Sequence, residues 1–260
     1  MVIWKAHYKD KLHDEDIEII NTQEDYRRNP LSFTLDGITF SGTSIGDFEL
    51  HDESQYDVAK ENFCLLKWGG NYRDLNILTP YTYDLQRYSM DVYIPIKVVR
   101  KNDGCEVQGM LHIAFQYAEH DIQKRQAIIL CDNARVYRDD EVVSSFSLCV
   151  EDRVYESSIK SICFENALLD ISKQIQEHYY IKSCFSCQYS DYSPYGSDDY
   201  GTMLCYRRHK EEYLKVNSKD DFFEYLEMKD FDTRQEDYLC EEYEVRNKCE
   251  GYRGFVDGCR

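Results

Sequence analysis

The stretch Leu31-Ser-Phe-Thr-Leu-Asp-Gly-Ile-Thr-Phe-Ser41 alternates apolar and polar residues on both sides of Asp36-Gly37. An Asp-Gly pair between two alternating runs is a strong hairpin signal, because both residues tolerate the positive φ that a tight turn demands. Two antiparallel strands are therefore predicted, each with one face turned toward a core. The same grammar recurs where Asp91-Val-Tyr-Ile-Pro-Ile-Lys-Val-Val-Arg100 and Glu106-Val-Gln-Gly-Met-Leu-His-Ile-Ala-Phe-Gln-Tyr117 flank Lys101-Asn-Asp-Gly104. Pro95 has no N–H to give to a ladder, which predicts an edge strand or a bulge there. Residues 127–131, 134–137 and 142–150 are further strand candidates, with a turn at 138–141. Short strands at this spacing predict a sandwich or one strongly curved sheet over the first 150 residues. The acidic, breaker-rich segments 47–57 and 71–83 read as loops.

The period then changes. Phe164, Leu168, Ile171 and Ile175 recur at helical spacing with polar residues between them, so an amphipathic helix is predicted to pack on the sheet. Ile181-Lys-Ser183 reads as β-like and leads into Cys184. Ser218 ahead of Asp220 and Asp221 reads as the N-cap of a short second helix. A short strand is expected at 238–240. With no repeat, linker or boundary in view, the chain reads as one α+β unit. Its parts are a β-rich sheet or sandwich (1–158), a helix and connection (159–182) and a Cys-rich, zinc knuckle-like region (183–260).

The formal charge is −18, with 31 basic and 49 acidic residues. Residues 1–100, 101–180 and 181–260 each carry six more acids than bases, so the acidity belongs to the whole surface rather than to a tail. That argues against unassisted binding to nucleic acid or an anionic membrane and suits a basic protein partner. The first residues do not combine a basic segment with an apolar run, and no apolar run reaches spanning length, so a cytoplasmic protein is expected. The eleven cysteines are an odd number in a long chain, which predicts mostly free thiols.

Cys184, Cys187, Cys205, Cys240, Cys249 and Cys259 crowd the C-terminal region. The Cys184-x-x-Cys187 pair can turn two thiolates to one point, and the Pro- and Gly-bearing loop after it can return the chain with a third. Cys184, Cys187, Cys205 and Cys240 are the expected ligands of a structural zinc ion, whose binding energy would become folding energy. His209, Cys249 and Cys259 compete for the later two places. A set of ordinary reduced cysteines is the plainer reading, and a redox pair a third.

The loop between these cysteines is rich in tyrosine and aspartate. Tyr192, Tyr195, Asp198, Asp199 and Tyr200 are candidate partner-binding residues, since tyrosine gives rigid contact area and aspartate answers Arg and Lys. Packing of these tyrosines around the cysteines is the competing reading. Seven histidines are scattered without a ligand pair on one helical face, and no nucleophile elbow, phosphate loop or dinucleotide fingerprint is present. No catalytic residues are assigned.

Cys184-x-x-Cys187, Ser190-Asp-Tyr-x-Pro-Tyr-Gly196, Gly201-x-x-x-Cys205, Lys210-Glu-x-Tyr-Leu214, Gln235-Glu-x-Tyr-Leu-Cys240 and Gly251-Tyr-Arg-Gly254 together resemble an uncharacterised bacterial family of unknown function. The resemblance spans residues 184–254 and implies a bacterial source, a shared cysteine cluster and Cys240 rather than His209 as the fourth ligand. It implies no reaction. The expected function is that of an acidic cytoplasmic protein-binding protein, an immunity protein that neutralises a basic secreted toxin, stabilised by zinc. The alternatives are an enzyme of unknown reaction or a purely structural zinc-stabilised protein.

Overall fold

The computed structural model describes residues 1–72, 77–117, 141–159, 164–192, 200–226 and 229–246. Twelve strands among them form one antiparallel sheet. The chain enters through β1 (Val2–Lys9), β2 (Asp14–Asn21), β3 (Leu31–Leu35), β4 (Ile38–Gly42) and β5 (Glu49–Leu50). Helix α1 (Tyr56–Asn62) precedes β6 (Leu65–Tyr72), β7 (Ile77–Leu85), β8 (Tyr88–Arg100) and β9 (Glu106–Tyr117). Then come β10 (Glu141–Val150), β11 (Arg153–Glu156), α2 (Phe164–Ile175) and β12 (Tyr179–Ile181). The spatial order is β11-β10-β9-β8-β1-β2-β3-β4-β5-β7-β6, with β12 also on β8, so the β-rich part is a single curled sheet and not a sandwich.

The two hairpins form where the sequence places them. Leu35 faces Ile38 across a turn whose Asp36 and Gly37 take φ of 50° and 76°. β8 and β9 pair from Tyr88 opposite Tyr117 to Val99 opposite Glu106 and form the spine of the sheet. Pro95 overturns the expected edge: β8 is central, with β9 on one side. On its other side it pairs with β1 through residues 89–93 and with β12 through 98–100. The proline falls in the gap between those two partners, where the ladder on that side is already interrupted. Segments 47–57 and 71–83 are also more ordered than their composition suggests. They hold β5, the start of α1 and most of β7, whose pairing with β6 supplies the order that local propensity does not. The strand candidates at 127–131 and 134–137, and the turn residues 138–140, lie outside the described residues.

Alternation decides which side chains meet. Trp4, Ala6 and Tyr8, Met90, Val92 and Ile94, Leu111 and Ile113, and Phe146 and Leu148 point to one face and are buried. Helix α2 covers that face with Phe164, Leu168, Ile171 and Ile175, as its spacing predicts, and Phe164 meets Phe146 edge-on at 5.7 Å. Each fully buried Val, Leu, Ile, Phe or Met among them contributes about 1.5–3 kcal/mol of transfer free energy. Among the described residues, no helix is long and apolar enough to cross a membrane.

The C-terminal region is a smaller body. β13 (Ser190–Asp191), β14 (Met203–Cys205) and β15 (Asp232–Arg234) form a three-stranded sheet, joined by α3 (Lys210–Tyr213) and α4 (Lys219–Leu226). The strand expected at 238–240 does not form; the pairing strand is β15, a few residues earlier. Ser218 caps α4 as predicted, its Oγ accepting the Asp221 N–H at 3.1 Å. Tyr206 stacks on Tyr213 at 5.1 Å in a separate apolar cluster with Val216, Phe222 and Leu226. A polar seam binds this body to the large sheet: Asn21 Nδ2 donates to Gln235 Oε1 at 2.5 Å, and the Thr233 N–H donates to Asp25 at 3.0 Å.

Candidate functional site

Three segments bring the four expected cysteines into one neighbourhood. Cys184 begins a 3₁₀ turn, Cys184–Ser186, and the Cys187 N–H closes it on the Cys184 carbonyl at 3.1 Å. Ser190 Oγ donates to both the Cys184 and Cys187 carbonyls, and Ser190 itself faces Cys205 across the β13–β14 ladder. The Cys184 N–H donates to the Tyr238 carbonyl at 2.7 Å, which draws in the turn that carries Cys240. Arg246 clasps the group from outside, donating to the Ser190 and Cys187 carbonyls at 2.6 and 3.2 Å and to the Tyr213 hydroxyl at 2.9 Å.

Cys184, Cys187 and Cys205 are buried, Cys240 is partly so, and all four are free thiols. Burial pushes the Cys184 thiol well up, and the neighbouring Cys205, Cys187 and Cys240 push it further. Burial also raises Cys205, against the opposing pull of Arg207. Among the described residues, no three His, Cys, Asp or Glu side chains stand in metal-binding geometry, so the thiols are neighbours and not a formed tetrahedron. Cys184 and Cys187 share one turn, Cys205 enters from β14 and Cys240 from a separate segment. The donor set itself, four sulfurs and no disulfide on three segments, has the chemistry of a zinc site. His209, the rival ligand, has its Nε2 on Asp230 at 2.8 Å, and Cys249 and Cys259 lie outside the described residues.

Two tyrosines of the intervening loop, Tyr192 and Tyr200, turn inward. Tyr192 is buried with its hydroxyl donating to Glu236 Oε1 at 3.0 Å, and Tyr200 is buried with its hydroxyl on Asp237 Oδ1 at 2.6 Å. Neither presents a surface to a partner, because each hydroxyl satisfies a buried carboxylate. Tyr195, Asp198 and Asp199 lie outside the described residues. Sequence reading missed Glu236 and Asp237, which looked like two more acids in an acidic chain. Burial pushes Glu236 up to about 8, although the Gly201 N–H and Tyr192 hydroxyl both favour its ionised form, and burial pushes Asp237 up to about 6 against the Tyr200 hydroxyl.

A second feature lies on the outer face of the large sheet. Pro95 faces Met110, Met110 faces Cys149 and Cys149 faces Val154, giving one cross-strand row over β8 to β11. Tyr93 stands beside that row, opposite Lys5 and His112, and Ile3 faces Ile20 on β1 and β2. Ile3, Ile20, Tyr93, Met110 and Val154 are 47, 38, 40, 37 and 67 % exposed, and so are apolar side chains turned to solvent. Charged pairs border them: Asp14, Asp16 and Glu18 on β2 meet Lys9, His7 and Lys5 on β1, and the Asp91 carboxylate on β8 meets His112 Nε2 at 2.9 Å. The alternation that buries the inner face fixes this strip, and the clue in the sequence is apolar residues standing in the polar register of β1, β2, β8 and β9.

No curated protein matches the chain, and no solved structure does. A family of unknown function, DUF6304, matches residues 2–190. That match covers the β-rich sheet, where the sequence offered no specific motif, and reaches Cys184 and Cys187 but stops short of Cys205 and Cys240. The curled sheet with its covering helix is thus what the chain shares with its relatives, and the chain belongs to this family of unknown function.

Proposed function

We propose that this chain is a protein-binding protein that takes a basic partner onto the outer face of its sheet, while Cys184, Cys187, Cys205 and Cys240 hold a structural zinc ion behind it. The observation that carries the binding reading is the strip of Ile3, Ile20, Tyr93, Met110 and Val154, exposed on a face bordered by Asp14, Asp16, Glu18 and Asp91. Apolar area gives contact energy, and the charge of −18 over the whole chain speeds the encounter with a positively charged partner. A basic secreted toxin, neutralised in an immunity role, is the partner class that this charge suits. The zinc reading rests on the convergence of four free thiols from three segments.

Purification of the full chain from its native host at low salt tests the binding reading. A basic protein should come down with the wild type, be released by salt and be lost from a Tyr93→Asp, Met110→Asp variant that keeps its melting temperature. Recovery of no stable partner, or of one held equally by the variant, would overturn it.

A further inference from the structure

Against the sign of the whole chain, cations gather where the small sheet meets the 3₁₀ turn Tyr26–Arg28. A groove of about 650 Å³ is lined there by Arg27, Arg28, Arg208, Lys229 and Arg234. Its wall also holds four carboxylates and Phe231, so five cations face four acids in a chain with 49 acids to 31 bases.

Three of the four carboxylates, Asp25, Asp230 and Asp232, are already engaged by several donors. Asp25 takes both arms of the Arg27 fork, at 2.6 and 2.9 Å, together with the Thr233 N–H. Asp232 accepts from Arg207 at 2.7 Å and from Arg208 and Arg234 at 3.0 Å. Asp230 accepts from Arg208 and meets His209 as well. Donors are left over: Arg28 comes no nearer to Glu24 than 3.8 Å, with its side chain 72 % exposed, and the Arg234 Nε–H is buried without an acceptor among the described residues.

We infer that this groove binds a small phosphate ester. A phosphate monoester carries nearly two negative charges and three terminal oxygens in a tetrahedral spread, which guanidinium forks from several directions can share. Here guanidinium groups arrive from three separate segments, the turn at 26–28, the turn Arg207–His209 and β15, with Arg28 the most exposed of them and 3.8 Å from Glu24. A carboxylate has only two oxygens, both in one plane, and so spans fewer of these directions than a tetrahedral phosphate does. Phe231 offers the organic part of the ester a flat apolar surface. The groove shares no residue with the outer-face strip and stands or falls independently of the partner reading.

Isothermal titration of the full chain with AMP, ribose 5-phosphate, adenosine and citrate tests this. Both phosphate esters should bind, while adenosine and citrate should not. Arg28→Ala, at an exposed position, should weaken AMP about tenfold, the loss of one charge-assisted hydrogen bond, with an unchanged melting temperature. Arg28→Lys, which keeps the charge but not the fork, should fall between. Absence of ester binding, equal binding of citrate, or undiminished binding by Arg28→Ala would each overturn the inference.

Discussion

Tyr200 donates its hydroxyl hydrogen to Asp237 at 2.6 Å while its ring stands edge-on to Trp4 at a centroid distance of 5.9 Å. One side chain thereby joins a buried carboxylate of the C-terminal region to β1 of the large sheet. Tyr200→Phe keeps the ring and removes the donor, which leaves part of a buried carboxylate unsatisfied. A loss of about 1–3 kcal/mol is expected in urea denaturation, with little change in the dependence on denaturant. An unchanged midpoint would mean that ring packing alone holds this seam.

Glu236 gives the same seam a pH dependence. Its folded pKa is pushed up to about 8 from the ordinary 4.5, so between those values the folded chain keeps a proton that the unfolded chain has released. Stability from this group is therefore fully present below the unfolded value and declines as pH rises toward the folded one, by up to about 1.4 kcal/mol per pH unit. Gln cannot titrate. Glu236→Gln should flatten the stability profile between about 6, where Asp237 has titrated, and about 8, measured by denaturation at a series of pH values, and a slope equal to that of the wild type would refute the assignment.

Gly201 donates its N–H to Glu236 Oε2 at 2.7 Å with φ at +98°, and a Cβ there would stand 3.0 Å from the Thr43 carbonyl oxygen and 3.2 Å from Gln235 Cγ. Gly201→Ala combines left-handed strain with a contact against backbone that cannot step aside, and about 1–3 kcal/mol should be lost. Gly37, at φ +76°, has open space where a Cβ would stand, with nothing within 4 Å. Gly37→Ala should therefore cost only the backbone term, about 1 kcal/mol. Equal melting temperatures for the two variants would remove the argument from close approach at Gly201.

The contrast between Asp36 and Asp237 shows what the sequence could carry. Asp36 acts through its own backbone and its neighbour Gly37, so a window of a few residues reveals the turn. The stripe of Phe164, Leu168, Ile171 and Ile175 is local in the same way. Asp237 acts through burial against Tyr200, and nothing in its own neighbourhood distinguishes it from the solvated acids around it. The β6–β7 pairing stayed hidden because the acidic, breaker-rich segment 71–83 reads as a loop until a partner strand supplies the hydrogen bonds. Tyr192 and Tyr200 read either as partner-binding residues or as packed ones, because tyrosine beside aspartate suits both, and only the fold shows that their hydroxyls point to Glu236 and Asp237. The cysteines lie between these cases: their spacing marked the group, and hydrogen bonds across long separations, such as Cys184 to Tyr238, gather it.

That group yields the last prediction. A zinc ion binds thiolates, yet burial and the three neighbouring cysteines hold the Cys184 thiol well above its ordinary pKa, so the protons leave when a divalent cation compensates the charge. The purified chain should carry about one zinc ion, with four sulfur ligands. A chelator should lower its melting temperature, and affinity should weaken as pH falls because protons compete for the ligands. Cys184→Ser and Cys205→Ser should each lose the metal, whereas Cys105→Ser, at an exposed position on the turn after β8, should retain it. Cys240→Ser against Cys249→Ser decides the fourth ligand, since the Cys184 N–H ties the first cysteine to the segment of Tyr238 and so favours Cys240. Less than half an equivalent of zinc, together with melting that a chelator leaves unchanged, would show that the four thiols pack together without a metal and that the C-terminal region is held by its tyrosines and its seam alone.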